Sequence, residues 1–182
     1  MPMIDTGAHI ACLFEAHEQH IRAYCSRRLD RSSVDDAVSE TFAVAWRKSD
    51  QVPAGDDALP WLYGIAHRVV QHAWRSAGRR ERLRHRVGSS IDRPRDEAGD
   101  TVDELDQRRR VVAAAARLRP ADQEILRLTL WEELTPAQVA LVLGISTDSA
   151  RQRASRARRR LADEYRRAER APVGYLAEKG TA

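Results

Sequence analysis

Thr135-Pro136-Ala137-Gln138-Val139-Ala140-Leu141-Val142-Leu143-Gly144-Ile145-Ser146, followed by the arginine-dense run from Thr147 to Arg160, is the stretch on which the reading of this chain turns. Thr135 is a good N-cap, and Pro136 suits the first helical position, where a missing N–H costs nothing. Val139, Leu143 and Ile145 are spaced to form a buried seam, and Ala140 is small where a second helix must cross closely. Gly144 stands where a short turn needs a left-handed backbone. Ser146 or Thr147 is placed to cap the next helix, with Asp148 in its first turn. This is the pattern of a helix-turn-helix. Its second helix carries Arg151, Arg153, Arg156, Arg158, Arg159 and Arg160, with Gln152 and Ser155 among them. In such a motif that helix lies in the major groove, its N-terminal half against the bases. Arginine pairs bidentately with guanine, and glutamine with adenine. The competing reading is a helical hairpin with a solvated basic face. Capping, small residue, glycine and charge together favour the DNA-binding motif.

Working outward, 182 residues suit one or two small domains, and 32% charged with 5% aromatic residues suits helices better than a large β core. The net charge of +4 says little by itself, but its distribution says more. Residues 1–60 hold 6 basic and 10 acidic residues, a net −4. Residues 61–88 hold 7 and 1, a net +6, and residues 89–106 hold 2 and 7, a net −5. Residues 107–134 hold 6 and 4, and residues 135–171 hold 9 and 4. Two basic blocks therefore flank an acidic one. This suggests two nucleic-acid contacts joined by a segment that avoids or mimics nucleic acid. Lys48 and Lys179 are the only lysines. Arginine favours bidentate contacts, although GC-rich coding produces the same bias. Cys12 and Cys25 fall about 220° apart around a helix, so they share no face, and free thiols in a reducing cytoplasm are expected. No signal peptide and no apolar run near 18 residues is evident, so no membrane insertion and a cytoplasmic location are expected.

The apolar periods are all near 3.6 residues, and the expected fold class is all-α: two small helical domains joined by a flexible acidic linker. Ile10, Leu13, Phe14, His17, Ile21 and Tyr24 make one stripe. Val34, Ala37, Val38, Thr41, Phe42, Ala45 and Trp46 make a second, with Ser32 or Ser33 as its cap and Asp35 and Asp36 in its first turn. Lys48 to Asp57, with Pro53 and Gly55, reads as a loop. Pro60 is expected to start a third helix, with Leu62, Ile65, Ala66, Val69, Val70, Ala73 and Trp74 inside. The division this predicts is a first domain over 1–88, an acidic linker over 89–106, a second domain over 107–171 and a loose tail over 172–182. The linker stretch loses apolar residues and gains Asp, Glu, Gly and Pro. Extended, it reaches at most about 65 Å, comparable to two turns of DNA at about 34–36 Å each. The second domain is expected to open with a helix near Leu105–Leu118, then one from Pro120 with Ile125, Leu126, Leu128 and Leu130.

Arg68, Arg75, Arg79, Arg80, Arg82, Arg84 and Arg86 follow or interrupt the third stripe, with Gln71 and His72 among them. Such density, with aromatics nearby, is what single-stranded or distorted DNA requires. Trp61 and Trp74 themselves fall on the apolar stripe and read as core. Asp35, Asp36, Ser39 and Glu40 form an acidic, polar face on the second helix, either simply solvated or a docking surface for a basic partner helix. His17 and His20 are three apart, but no further ligand converges on them, so neither metal nor cofactor is expected. No glycine-rich phosphate loop, nucleophile elbow or carboxylate pair in an apolar setting suggests an enzyme.

The order of these parts resembles a bacterial RNA polymerase sigma factor of the extracytoplasmic-function (ECF) group. Val34-Asp35-Asp36-Ala37-Val38-Ser39-Glu40-Thr41-Phe42, then Trp46, looks like the family helix that docks on the polymerase clamp. Trp61-Leu62-Tyr63-Gly64-Ile65-Ala66-His67-Arg68 looks like the start of the helix facing the promoter −10 element. Leu118-Arg119-Pro120-Ala121-Asp122-Gln123-Glu124-Ile125-Leu126 and the helix-turn-helix look like the family's C-terminal domain. The resemblance implies a non-enzymatic subunit that binds core RNA polymerase and promoter DNA and directs initiation. It implies polymerase contacts at Asp35, Asp36 and Glu40, and −10 contacts at Trp61, Arg68, Gln71, Arg75 and Arg79. It implies −35 contacts at Ser149, Arg151, Gln152, Ser155, Arg156 and Arg158, and control by an anti-sigma factor. The chain departs from the family where Val52-Pro53-Ala54 replaces a frequent Phe-Arg-Gly and where Arg68 replaces a frequent Asn. Ala150 and Ala154 stand in place of larger apolar residues, which suggests a looser or shifted recognition helix. The alternatives are a stand-alone helix-turn-helix regulator, whose first domain needs no basic third helix, and an interaction protein that binds a regulator instead of DNA.

Overall fold

Long apolar stripes at helical spacing, with no run of alternating residues, leave packed helices as the only way to bury this chain's apolar side chains. The computed structural model describes residues 6–84 and 102–170 and, among them, seven α-helices and no strand. These are α1 (Thr6–Ser26), α2 (Arg31–Arg47), α3 (Ala58–Arg84), α4 (Val102–Ala116), α5 (Pro120–Leu130), α6 (Pro136–Leu143) and α7 (Thr147–Arg170). Residues 85–101, which include Arg86 and most of the stretch 89–106 read as an acidic linker, and the tail after Arg170 lie outside the described residues, as do the side chains of Arg79, Arg80, Arg82 and Arg84.

The helices α1, α2 and α3 pack on one another around Ile21, Tyr24, Val34, Val38, Phe42, Leu62, Ile65 and Val70, all buried. Three stripe residues sit at the surface instead. Phe14 lies against Phe42 in an edge-on contact with ring centroids 4.8 Å apart, yet is largely exposed. Trp46 is 53% exposed. Trp74, read as core, lies at the rim, where its Nε1–H donates to the Arg28 carbonyl at 2.9 Å. A large amphipathic ring is satisfied at such an edge because its polar tip finds a partner there.

Helix starts differ from the sequence reading. The helix α2 begins at Arg31, with Asp30 rather than a serine in the capping position and no side-chain cap, so Asp35 and Asp36 lie past its first turn. The helix α3 begins at Ala58, placing Pro60 third, where its absent N–H still lacks an intrahelical partner. The loop before it contains two short 3₁₀ turns, Ser49–Gln51 and Gly55–Asp57, and Gly55 takes a φ of +70° that favours glycine. The helix α4 starts at Val102, so five residues of the stretch read as linker are helical.

The helices α4, α5, α6 and α7 form the second group, with α7 packed on each of the other three. Its contact stripe is Ala150, Ala154 and Ala157, all buried, continued by the half-buried Leu161. In the helix-turn-helix seam the fully buried positions are Val139, Ala140 and Val142, while Leu143 and Ile145 are only half-buried. The two groups share one continuous core. The helix α6 lies on α3 at Gly64, where a Cβ would come 3.8 Å from the Val142 Cα and 4.0 Å from the Leu141 carbonyl oxygen.

Candidate nucleic-acid interface

The turn of the helix-turn-helix is built by local chemistry. Thr135 and Gln138 form a reciprocal capping box: Gln138 N–H donates to Thr135 Oγ1 at 3.4 Å, and Thr135 N–H donates to Gln138 Oε1 at 3.0 Å. Gly144 closes α6 in the left-handed conformation, φ 64° and ψ 40°. Ser146 caps α7 by accepting the Ser149 N–H at 3.2 Å, and its own hydroxyl donates to Ser149 Oγ at 2.9 Å. The sequence motif left Ser146 and Thr147 open; Ser146 is the residue in place.

With Ala150, Ala154 and Ala157 turned inward, period 3.6 turns Arg151, Gln152, Ser155, Arg156 and Arg158 outward, and each is exposed. Ser149 is half-buried at the helix start. Arg151 pairs with Asp148 at 3.2 Å on the open surface, where such a pair contributes little and yields readily to a phosphate or base. Arg160 is committed elsewhere, reaching Asp122 of α5 at 2.6 Å. The alanine seam brings α7 close to its neighbours, and the short side chains leave no branched residue to force it away.

On α3, Arg68 and Arg75 are exposed and Gln71 is half-buried, its Nε2 2.8 Å from His67 Nε2. Trp61 is half-buried and packs on the core. On α2, Asp35, Asp36 and Glu40 are all exposed. Asp35 pairs with Arg22 at 2.5 Å, and Glu40 with Arg47 at 3.1 Å. An apolar cleft lined by Ile10, Phe14, Phe42 and Trp46 opens between α1 and α2. The predicted polymerase-facing and DNA-facing residues thus lie on separate helices, α2, α3 and α7.

One group of charged residues was not legible as a site. Arg28, in the turn two residues past the end of α1, is completely buried in its side chain. Its Nε donates to Glu124 Oε2 at 3.0 Å, and its Nη1 donates to Glu132 Oε1 and to the Tyr24 carbonyl, both at 2.9 Å. The guanidinium carbon lies 3.6 Å from the Tyr24 ring centroid. The Tyr24 hydroxyl donates to Glu124 Oε1 at 3.0 Å, and His67 Nδ1 lies 3.4 Å from the same oxygen. Arg27 also pairs with Glu132 and stands over the Trp131 ring. Burial raises the pKa of the Glu124 carboxyl, but the His67 hydrogen bond and the Arg28 charge outweigh it and hold the group at about 2. Burial pushes the Tyr24 hydroxyl well above its ordinary value. A positive φ of 53° at Glu133 belongs to the turn that carries the buried Glu132. Nothing in the sequence marks these residues, because arginine and glutamate are surface types by default.

Two family models match the chain: Sigma-70 region 2 over residues 13–80 and Sigma-70 region 4 over residues 102–161. The chain belongs to the ECF sigma factors of RNA polymerase. Among its relatives is the ECF RNA polymerase sigma factor SigK of Mycobacterium sp. (strain KMS), 28% identical over 148 residues, covering 79% of this chain and 77% of the relative. SigL of Mycobacterium tuberculosis (strain ATCC 25618 / H37Rv) is 28% identical over 153 residues, covering 81% and 83%. Among solved structures, the sigma factor RpoE, co-crystallised with the anti-sigma factor NepR from Bartonella quintana, aligns with a TM-score of 0.66. That match has 21% identity and covers 84% of this chain and 94% of the other. The PhyRSL–NepR complex from Sphingomonas sp. Fr1 gives 0.60 at 20% identity, covering 94% and 99%. These likenesses place the all-α, two-unit fold. As a sigma factor with regions 2 and 4, the chain directs promoter-specific initiation by RNA polymerase. A stand-alone helix-turn-helix regulator does not account for region 2 over residues 13–80.

Proposed function

We propose that this sigma factor reads the −35 element through α7 and the −10 element through α3 while α2 holds core polymerase. The observation that carries this is the sidedness of α7: an unbroken alanine seam inward, and Arg151, Gln152, Ser155, Arg156 and Arg158 outward on its first three turns. Arg156 and Gln152 carry the side-chain types that discriminate guanine and adenine in the major groove. Ser149, at the helix N-terminus, meets a backbone phosphate. Arg68, Gln71, Arg75 and Arg79, with Trp61 at the helix start, engage the −10 element. Asp35, Asp36 and Glu40 contact polymerase. The functional units are 1–88 and 107–171, the protein works in the cytoplasm without enzymatic activity of its own, and an anti-sigma factor holds it in check; the similar sigma factor RpoE was crystallised in complex with the anti-sigma factor NepR.

The test is reconstitution. Purified chain added to core polymerase on genomic templates should give transcripts whose starts share upstream −10 and −35 sequences. No promoter-directed transcript, together with binding of the isolated chain to a palindrome, would show the stand-alone regulator instead.

A further inference from the structure

The outer face of α7 is basic with one exception. Asp148 is the only acidic residue between Thr135 and Ala162. The acids that follow it, Asp163 and Glu164, pair with Arg166 and Arg167 at 2.6 and 2.7 Å, further along the helix. The Asp148 side chain is 83% exposed. At 100° per residue it lies about 150° around the axis from the middle of the buried Ala150–Ala154–Ala157 seam, about 20° from Ser155 and about 40° from Gln152. It therefore shares the row that these two residues form, about one turn nearer the start of the helix than Gln152.

The local fold makes little use of a carboxylate there. Ser146 already caps α7, and the ion partner of Asp148 is Arg151, three residues on, at 3.2 Å. An exposed pair of this kind adds little stability. A first-turn aspartate also favours the helix dipole, but that contribution is the same whatever DNA is bound. Toward DNA the charge has a cost, because a carboxylate repels phosphates of any sequence. Toward base edges it is selective. It has acceptors and no donor, so it accepts from the cytosine N4 amino group and repels guanine O6 and N7 and thymine O4. A group that weakens general binding while sorting base edges acts on specificity rather than on affinity.

Arg151 completes the arrangement. Its Nη1 donates to Asp148 Oδ1, which leaves the Nε–Nη2 edge of the guanidinium for guanine O6 and N7. Guanine O6 and cytosine N4 are neighbours across one base pair. Adenine N6 offers the carboxylate a similar donor, but its partner thymine gives the guanidinium one acceptor instead of two. We propose that Asp148 is a specificity-determining residue. Together with Arg151 it reads one G·C pair of the −35 element, the arginine on the guanine and the carboxylate on the cytosine amino group. This rests on the reading of α7 as the −35 helix.

The test uses the full chain with core polymerase on promoters whose −35 region is randomised, the transcripts being sequenced. Wild type should select G·C, in one orientation, at one position. Asp148→Ala should relax that position about tenfold and leave the rest of the −35 preference unchanged. Arg151→Ala should relax the same base pair. Both variants should keep the wild-type helical circular dichroism; if Asp148→Ala does not, Asp148→Asn, which keeps the side-chain shape, is judged by the same outcomes. An unchanged profile for the Asp148 variant would overturn the proposal, as would losses for the two variants at different base pairs. Even flattening across the whole −35 region would also overturn it, since that is what a role in the helix start alone gives. Wild type that initiates with no −35 preference at all would instead remove the reading of α7 on which the proposal rests, and this shows before any variant is made.

Discussion

Arg156 sits on the outer face of α7, exposed and two residues past the inward-facing Ala154. A bidentate arginine–guanine pair contributes about 1–3 kcal/mol of discrimination, so Arg156→Ala should lower −35-dependent initiation roughly tenfold to a hundredfold. Binding to core polymerase, measured by co-migration, should not change; loss of core binding instead would mean the helix is misassigned. This residue was legible in sequence because its neighbours fix its direction: alanines at positions 150, 154 and 157 define one helical stripe, and whatever lies between them faces out. Arg28 and Glu124 were not legible for the converse reason. They lie 96 residues apart, each is a residue type that normally stays in water, and no periodicity connects them. Only the tertiary contact identifies them as a buried pair.

At the scale of single helices, sequence carried the positions of the elements better than their ends. The stripes on α1, α2 and α3 appear as buried faces, yet α2 and α3 begin at Arg31 and Ala58, earlier than the serine and proline signals imply. Helix starts are set by whichever backbone geometry packing permits, and helix ends fray by one or two residues around the capping signal. The large aromatics at stripe edges, Trp46 and Trp74, fall outside the core because three helices do not enclose the whole stripe. The helix-turn-helix was read most fully, since Thr135 and Gly144 act locally. Thr135→Ala should remove the capping-box contacts and cost about 1 kcal/mol, seen as a lower denaturation midpoint. Ala154→Leu should cost more, about 1–3 kcal/mol, because the added volume has to be fitted between α7 and the helices it packs on. A gain in stability for Ala154→Leu would show that the alanine seam is loosely packed, as the departure from larger residues first suggested.

For the molecule as a whole, the charge pattern pointed to two basic units on either side of an acidic stretch, and both units carry exposed arginines. Composition could not say that the units rest against each other, because the residues that join them are counted as ordinary surface charge. The titration of Glu124 tests that contact without any DNA or polymerase. Its folded pKa of about 2 lies below the ordinary 4.5, so the folded state binds its proton less tightly than the unfolded state does. The stabilisation is therefore fully present above pH 4.5 and is lost as pH falls toward 2. Through the neutral range the carboxylate stays charged, so the ion pair with Arg28 keeps both its charges near neutrality. In denaturant titrations, wild type should exceed Glu124→Gln in stability at pH 6, by at most roughly 3 kcal/mol. The gap should close between pH 4.5 and 2 while other carboxylates affect both proteins alike. A difference that stays constant down to pH 2 would mean Glu124 is not ion-paired in the folded chain, and the arrangement of the two units around Arg28 would have to be redrawn.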